Sequence, residues 1–435
     1  MPSPSHNTKR CFPVKWEQPD KKLINDWYHK YVVTGVLESD DTGGSKTQQT
    51  HYTYVGNAAW RYAEDDGMTK DRWRTWSQWR GYSKVRAVLG DGEDGPQTRT
   101  ETTYARGLDG NYQGKGNPRD SVTVNDSKNL LGGITDRDQF AGVVLESRTF
   151  NGAFSDDAEI SASVAMPRWD KTISRTFHDT NSDDDITVDG GRVLTQWSKG
   201  RSRKADGTDF TTQITTDYDD LGRTIAVDNE GDTTTSADDT CERTVYPSGT
   251  PPAGANLTLP IRTLSVSVDC DNAASNEPNL VAGDMISDTK MLYDGKAYGA
   301  YPTTGDLTSA EKVTGVSGGR STMATDVTST YDGYGRVLTT TQVGDTNTTN
   351  DDRTTTTVYT NAPEGWLKSS TLTSPPERCP RLCQRQPRRP THRSSRPLTL
   401  PSALPSKRHR SPAGISFRRG SSIPSDLLSG RFSGL

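Results

Sequence analysis

No apolar run in this sequence approaches the ~18–20 residues of a membrane helix, so no such span is expected. The opening "MPSPSHNTKRCFPVKWEQPD" has basic groups but no apolar stretch behind them, and does not read as a signal peptide. Cysteine is sparse: Cys11, Cys241, Cys270, Cys379 and Cys383 are too few for a disulfide scaffold and match no zinc spacing. The six histidines (6, 29, 51, 178, 392 and 409) are scattered, with no H-E-x-x-H or metal-spaced pair. No nucleophile elbow, phosphate loop or dinucleotide-binding turn is expected. The acid pairs Asp156–Asp157, Asp238–Asp239 and Asp351–Asp352 and the run Asp183–Asp185 lack calcium-loop order and read as solvated turns. The expectation is a chain without a catalytic group, metal or cofactor.

Apolar residues are also scarce, at 30%, and 40 glycines do little to raise the total in a chain of mean hydropathy -0.82. This excludes several thick cores and favours thin sheets with one face wet. The 9 Trp and 16 Tyr gain weight in such a core, because each ring covers a large area.

Charge is unevenly spread. Residues 375–435 hold 13 Lys and Arg against 2 Asp and Glu, with 10 of the 24 prolines and no Tyr, Trp, Asn or Val. Upstream, 39 basic residues face 54 acidic ones. The tail is expected to be disordered. A basic arm of this kind could bind nucleic acid, but it has no aromatics beyond Phe417 and Phe432, so nucleic acid is not the expected partner. The abrupt change of vocabulary instead fits a shifted reading frame, with the genuine protein ending near Ser374.

Between Lys30 and Thr373 helical periodicity is faint. "QTHYTYV", "RTETTYA", "RDSVTVND", "KTISRTF", "DFTTQITTDY", "IRTLSVSV" and "RTTTTVYT" are short Thr-, Val-, Ile- and Tyr-rich runs read as strands. "DTGG", "GDGEDG", "DGNYQGKG", "SGTPPAG" and "VSGG" supply turns between them. The fold expected is all-β: an extended antiparallel sheet of stacked hairpins.

One turn is written twice. "TDYDDLGRTIAVDNEGD" and "STYDGYGRVLTTTQVGD" share Tyr-Asp-x-x-Gly-Arg, and nine residues after each Gly comes Gly-Asp. In the first copy Tyr218 should end a strand, Asp219 accept N–H groups across the turn and Gly222 supply positive φ. Arg223 should start the return strand and pair with Asp219, with Ile225 and Val227 alternating inward. Tyr331, Asp332, Gly335 and Arg336 repeat those roles, with Gly344 and Asp345 answering Gly231 and Asp232. Worn copies are read at Asp189–Arg192 and Tyr293. A unit that cannot hide its own apolar face must stack on its neighbours.

These residues resemble the RHS, or YD-repeat, family. Further strings, among them "CFPVKW", "DWYHKYVV", "TWSQWRGY" and "TYARGLDGN", are similar to the segment before and within the repeats of long actinobacterial members. The resemblance covers most of residues 11–374. It implies a slice of a spiral β-shell, similar in architecture to teneurins and insecticidal toxin complexes, in a secreted or cell-surface parent that encloses and delivers a C-terminal toxin. The partners implied are the rest of that shell and the toxin. The expected layout is a disordered stretch at 1–20, a β-rich segment at 21–120, repeats at 121–374 and the tail at 375–435.

Two further groups stand out. Trp73, Trp76 and Trp79 recur every third residue among arginines in "DRWRTWSQWRGY". Exposed, they would suit a carbohydrate-binding surface facing cell-surface glycan; buried, they would plug a core short of aliphatics. Cys241 and Cys270 flank strand-like stretches and could bridge in an oxidising compartment, a link worth about 3–4 kcal/mol by chain entropy.

Overall fold

Threonine, valine and tyrosine at alternate positions do build strands here. The computed structural model describes residues 3–20, 22–64, 66, 68–93, 95–154, 157–178, 185–344, 351–363 and 365–374, and among them there is no α-helix. Residues 375–435, expected to be disordered, lie outside the described residues. Also among them, no helix is long and apolar enough to cross a membrane.

In chain order, β1 (Cys11–Glu17) and β2 (Leu23–His29) form a hairpin, followed by β3 (Gly35–Glu38) and β4 (Gln48–Val55). The short pair β5 (Ala59–Arg61) and β6 (Gln78–Gly81) precedes β7 (Lys84–Leu89) and β8 (Thr98–Tyr104). A second short pair, β9 (Thr123–Val124) and β10 (Ile134–Thr135), leads into β11 (Val144–Phe150). Then come β12 (Glu159–His178), β13 (Asp185–Arg203), β14 (Asp209–Tyr218), β15 (Thr224–Asp232), β16 (Thr240–Val245) and β17 (Arg262–Val266). The last strands are β18 (Met285–Tyr293), β19 (Leu307–Ser317), β20 (Arg320–Tyr331), β21 (Val337–Gln342), β22 (Arg353–Asn361) and β23 (Leu367–Thr373).

Seventeen of these make one antiparallel sheet in the order β3-β4-β7-β8-β11, then each successive strand to β23. The strand order runs on from β23 to β3, yet no residue register joins that pair among the described residues. Both strands are exposed along their whole length, so they stand as the ends of the registered sheet.

Three expectations change. Residues 3–20 are not disordered: β1 pairs with β2 along its length, and Phe12 packs on Tyr28 and Trp60. The β8–β11 ladder crosses the expected boundary at 120/121, so both segments share one sheet. "RDSVTVND" contributes only Thr123–Val124 to a strand, because Asp120 and Asp126 bond to loop groups instead.

Apolar cores are small, as the composition requires. One gathers Ala105, Leu131, Phe140, Leu145 and Val164. The other surrounds a disulfide between Cys241 and Cys270 and adds Ala226, Leu264, Val266 and Leu280. Buried charge fills the space between strands. The carboxylate of Glu101 accepts from Lys84 Nζ at 2.7 Å, Arg86 Nε at 2.6 Å and Arg148 Nη1 at 3.2 Å. Burial alone would raise its pKa, but the bonds from Lys84 and Arg86 outweigh it and hold the group at about 2. Arg148 and Arg201 then share Glu159, and Arg201 also binds Glu146. Arg99 and Arg148 both stack on Phe150, at 3.9 and 4.7 Å from its centroid.

β12 and β13 outrun their neighbours. They pair from Ser161–Ser202 to His178–Asp185, but β11 covers β12 only as far as Val164, and β14 covers β13 only from Trp197 onward. The distal ribbon has an apolar face of Ile173, Phe177, Ile186 and Val188. Its polar face is tied by Ser174 to Asp189, Thr176 to Thr187 and His178 to Asp185.

Candidate functional site

The two Tyr-Asp-x-x-Gly-Arg turns have the same bonding. In the first, Gly222 N donates to Asp219 O at 2.8 Å, and Asp219 N donates to Arg223 O at 3.0 Å. In the second, Gly335 N donates to Asp332 O and Asp332 N to Arg336 O, both at 3.0 Å. Both glycines have φ of 75°, the left-handed geometry that completes a three-residue hairpin loop with a bulge. The register also shifts at the same place, with Tyr218 opposite Thr224 and Tyr331 opposite Val337.

The aspartate holds each loop. Asp219 Oδ1 accepts from the N–H groups of Leu221 and Arg223, both at 2.9 Å, while Oδ2 takes Arg223 Nε at 2.7 Å. Asp332 does the same with Tyr334 N, Arg336 N and Arg336 Nε, at 2.9, 3.0 and 2.7 Å. Burial opposes ionisation of Asp219, but the Arg223 N–H and guanidinium win and hold its carboxyl below the usual range. At Asp332 the Arg336 guanidinium has the same effect.

Tyrosine and arginine then reach outward in opposite directions. Tyr218 on β14 donates its hydroxyl to Thr195 O on β13 at 2.9 Å, and Tyr331 on β20 donates to Leu307 O on β19 at 2.8 Å. Arg223 donates forward to Leu257 O at 2.6 Å and lies 4.0 Å over the Tyr246 ring. Arg336 donates to Asn361 Oδ1 at 2.9 Å and lies 4.5 Å over the Tyr359 ring. Each turn therefore joins its own hairpin to the strand before it and to the hairpin after it.

The inward alternation differs from expectation. Ala226 is the buried residue and Ile225 is exposed, because the bulge beside Tyr218 skips Ile225 and sets Asp217 opposite Ala226. Tyr293 behaves as a worn copy: its hydroxyl donates to Pro260 O at 3.0 Å, and Asp294 N donates to Asp306 O across a longer loop. Asp189–Arg192 does not. These residues run inside β13, where Gly190 and Gly191 lie opposite a bulge of β12 at Thr172, and Arg192 reaches out to the carbonyls of Asp220 and Leu221 on the first turn.

The second signature was longer than its Gly-Asp. G-D-T-x-T-x-x-D-D spans 231–239 and recurs at 344–352, where Asp345 and residues 346–350 lie outside the described residues. Asp238 Oδ2 accepts from Asp232 N, and Asp352 Oδ1 accepts from Gly344 N, both at 2.9 Å. Asp239 is buried, not solvated, and burial followed by the charges of Asp238, Asp269 and Asp228 pushes its carboxyl up.

Two glycine strings match the lettering of catalytic and nucleotide motifs that were not expected. Residues 90–95 read G-x-G-x-x-G and residues 315–319 read G-x-S-x-G. The first joins β7 to β8, and the second joins β19 to β20 through Gly318 and Gly319, both of positive φ. Each links antiparallel strands, so neither has the strand-to-helix context those motifs require.

Trp73, Trp76 and Trp79 are half-buried and do not share a face. Trp76 stacks with Tyr112, donates Nε1 to Tyr112 O at 2.7 Å and meets Tyr62 edge-on. Trp79 packs with Trp60 and Tyr82 in a separate group, and Trp73 ends a 3-10 turn under Arg72.

Gly222→Ala and Gly335→Ala separate backbone strain from collision. A Cβ at 222 would strike the Arg192 guanidinium, whereas at 335 the nearest atom, Asp306 Oδ1, is 3.5 Å away. Gly335→Ala should cost about 1–2 kcal/mol from left-handed strain alone. Gly222→Ala should cost more, because Arg192 loses its seat. Urea unfolding of the two variants measures the difference.

No protein-family model matches the chain, and no curated protein matches it significantly.

Proposed function

We propose that this chain is a non-catalytic stretch of wall in an RHS-type β-shell, and that its secreted or cell-surface parent encloses and delivers a C-terminal toxin. The observation that carries the reading is the two-way reach of the turns. Tyrosine ties back one strand and arginine ties forward to the next hairpin, so every bond of the motif goes into sheet continuity. The Cys241–Cys270 bridge suits an exported protein, where disulfides persist.

The locus and its product test this. Flanking DNA is expected to encode further Tyr-Asp repeats followed by an unrelated C-terminal domain. In the purified parent, that domain should resist protease until the wall is unfolded. A locus without further repeats, or a C-terminal domain digested as fast in the intact parent as alone, overturns the proposal.

A further inference from the structure

A cavity of about 540 Å³ lies where the loop carrying Lys128 and Leu130 meets the sheet face of β13 and β14. Its charges are unusual. Lys128 and Lys199 both line it, and neither has a carboxylate partner among the described residues; Lys199 Nζ rests 5.1 Å over the Trp197 ring. Arg201 forms part of the wall with its side chain 8% exposed. Its Nε and Nη2 are held by Glu159 and Glu146, but Nη1 is buried with no hydrogen-bond partner.

The carboxylates of the cavity are mostly engaged. Asp209 pairs with Arg203 at 3.1 Å, and Glu230 accepts from Gln213 Nε2. Two free ammonium groups against one unpaired carboxylate leave a surplus of a single positive charge. This matches a monoanion better than a phosphate dianion. Thr211 and Thr233, whose hydroxyls bond to each other at 2.5 Å, stand in the lining, and the volume falls in the range of small-molecule sites.

We propose that this cavity binds a singly charged, hydroxyl-bearing carboxylate of the uronic acid class. The two lysines hold the carboxylate, Thr211, Thr233 and Gln213 meet the hydroxyls, and the unpartnered Nη1 of Arg201 offers a donor in the wall. Glu230 opposes binding, which gives the proposal a signed test.

Calorimetric titration of the full chain with glucuronate, galacturonate, glucose and glucose 6-phosphate decides it. Saturable binding of a uronate is expected, with no heat from glucose. Lys199→Ala and Lys128→Ala should each weaken it about tenfold or more, the loss of one charge-assisted bond. Glu230→Gln should tighten it. Near-UV circular dichroism checks that the variants keep the native packing. Absence of saturable uronate binding, indifference to both lysine changes, or tighter binding of glucose 6-phosphate overturns the proposal.

Discussion

Arg262→Met should destabilise the protein by about 3–5 kcal/mol, the largest single-residue effect expected in this chain. Arg262 on β17 grips Asp288 on β18 with two guanidinium nitrogens, Nε to Oδ1 at 2.8 Å and Nη2 to Oδ2. Nη2 also reaches Glu277 Oε1 at 2.9 Å. The bond to Asp288 is the main reason the guanidinium is held more firmly protonated than usual. Asp288 is only 1% exposed, and without Arg262 its charge would keep Ser321 Oγ and lose its cation. An uncompensated buried carboxylate is far costlier than the pair is beneficial. The double variant Arg262→Met/Asp288→Leu should therefore recover most of the loss. Denaturant midpoints followed by tryptophan fluorescence measure both. An Arg262→Met midpoint equal to the parent's would mean the pair does not hold β17 to β18.

Replacing Cys241 and Cys270 together by alanine should cost about 3–4 kcal/mol, from freeing the loop between them in the unfolded chain. The bridge spans 29 residues and sits where apolar material is thinnest, with Cys241 fully buried among Ala226, Leu264 and Val266. Truncating the two sulfurs also leaves a void in that cluster, which adds to the loss. Reductant should lower the melting temperature of the parent protein and leave that of the double variant unchanged. Equal sensitivity of both would locate the effect elsewhere.

Local text made the hairpins legible. "DFTTQITTDY" is β14 to the residue, and Tyr-Asp-x-x-Gly-Arg encodes a loop whose bonds all close within a few positions. The cysteine pair is readable only as two strand-side thiols, and the pairing of β16, which contains Cys241, with β17, which ends just before Cys270, brings them together. What escaped notice depends on distant partners. Glu101, Glu146 and Arg201 look like ordinary surface charges until three separate strands bring them together. Asp-Gly-Gly-Arg at 189–192 has the composition of a turn, but β12 lies alongside and pairs all four residues as continuous strand. The cavity beside Lys199 was equally invisible, since Lys128 reaches it from a loop some seventy residues earlier. Asp239 reads as a solvated turn acid because nothing in its sequence neighbours signals its burial.

The far ends of β12 and β13 rest on one ladder alone, with a bare rail on either side. Two strands by themselves are marginal in water, so this stretch can melt and re-form while the rest of the sheet stays intact. Amide protons from Ile173 to His178 should accordingly exchange much sooner than those of β14, and the protein carries one finger that answers to its own thermodynamics.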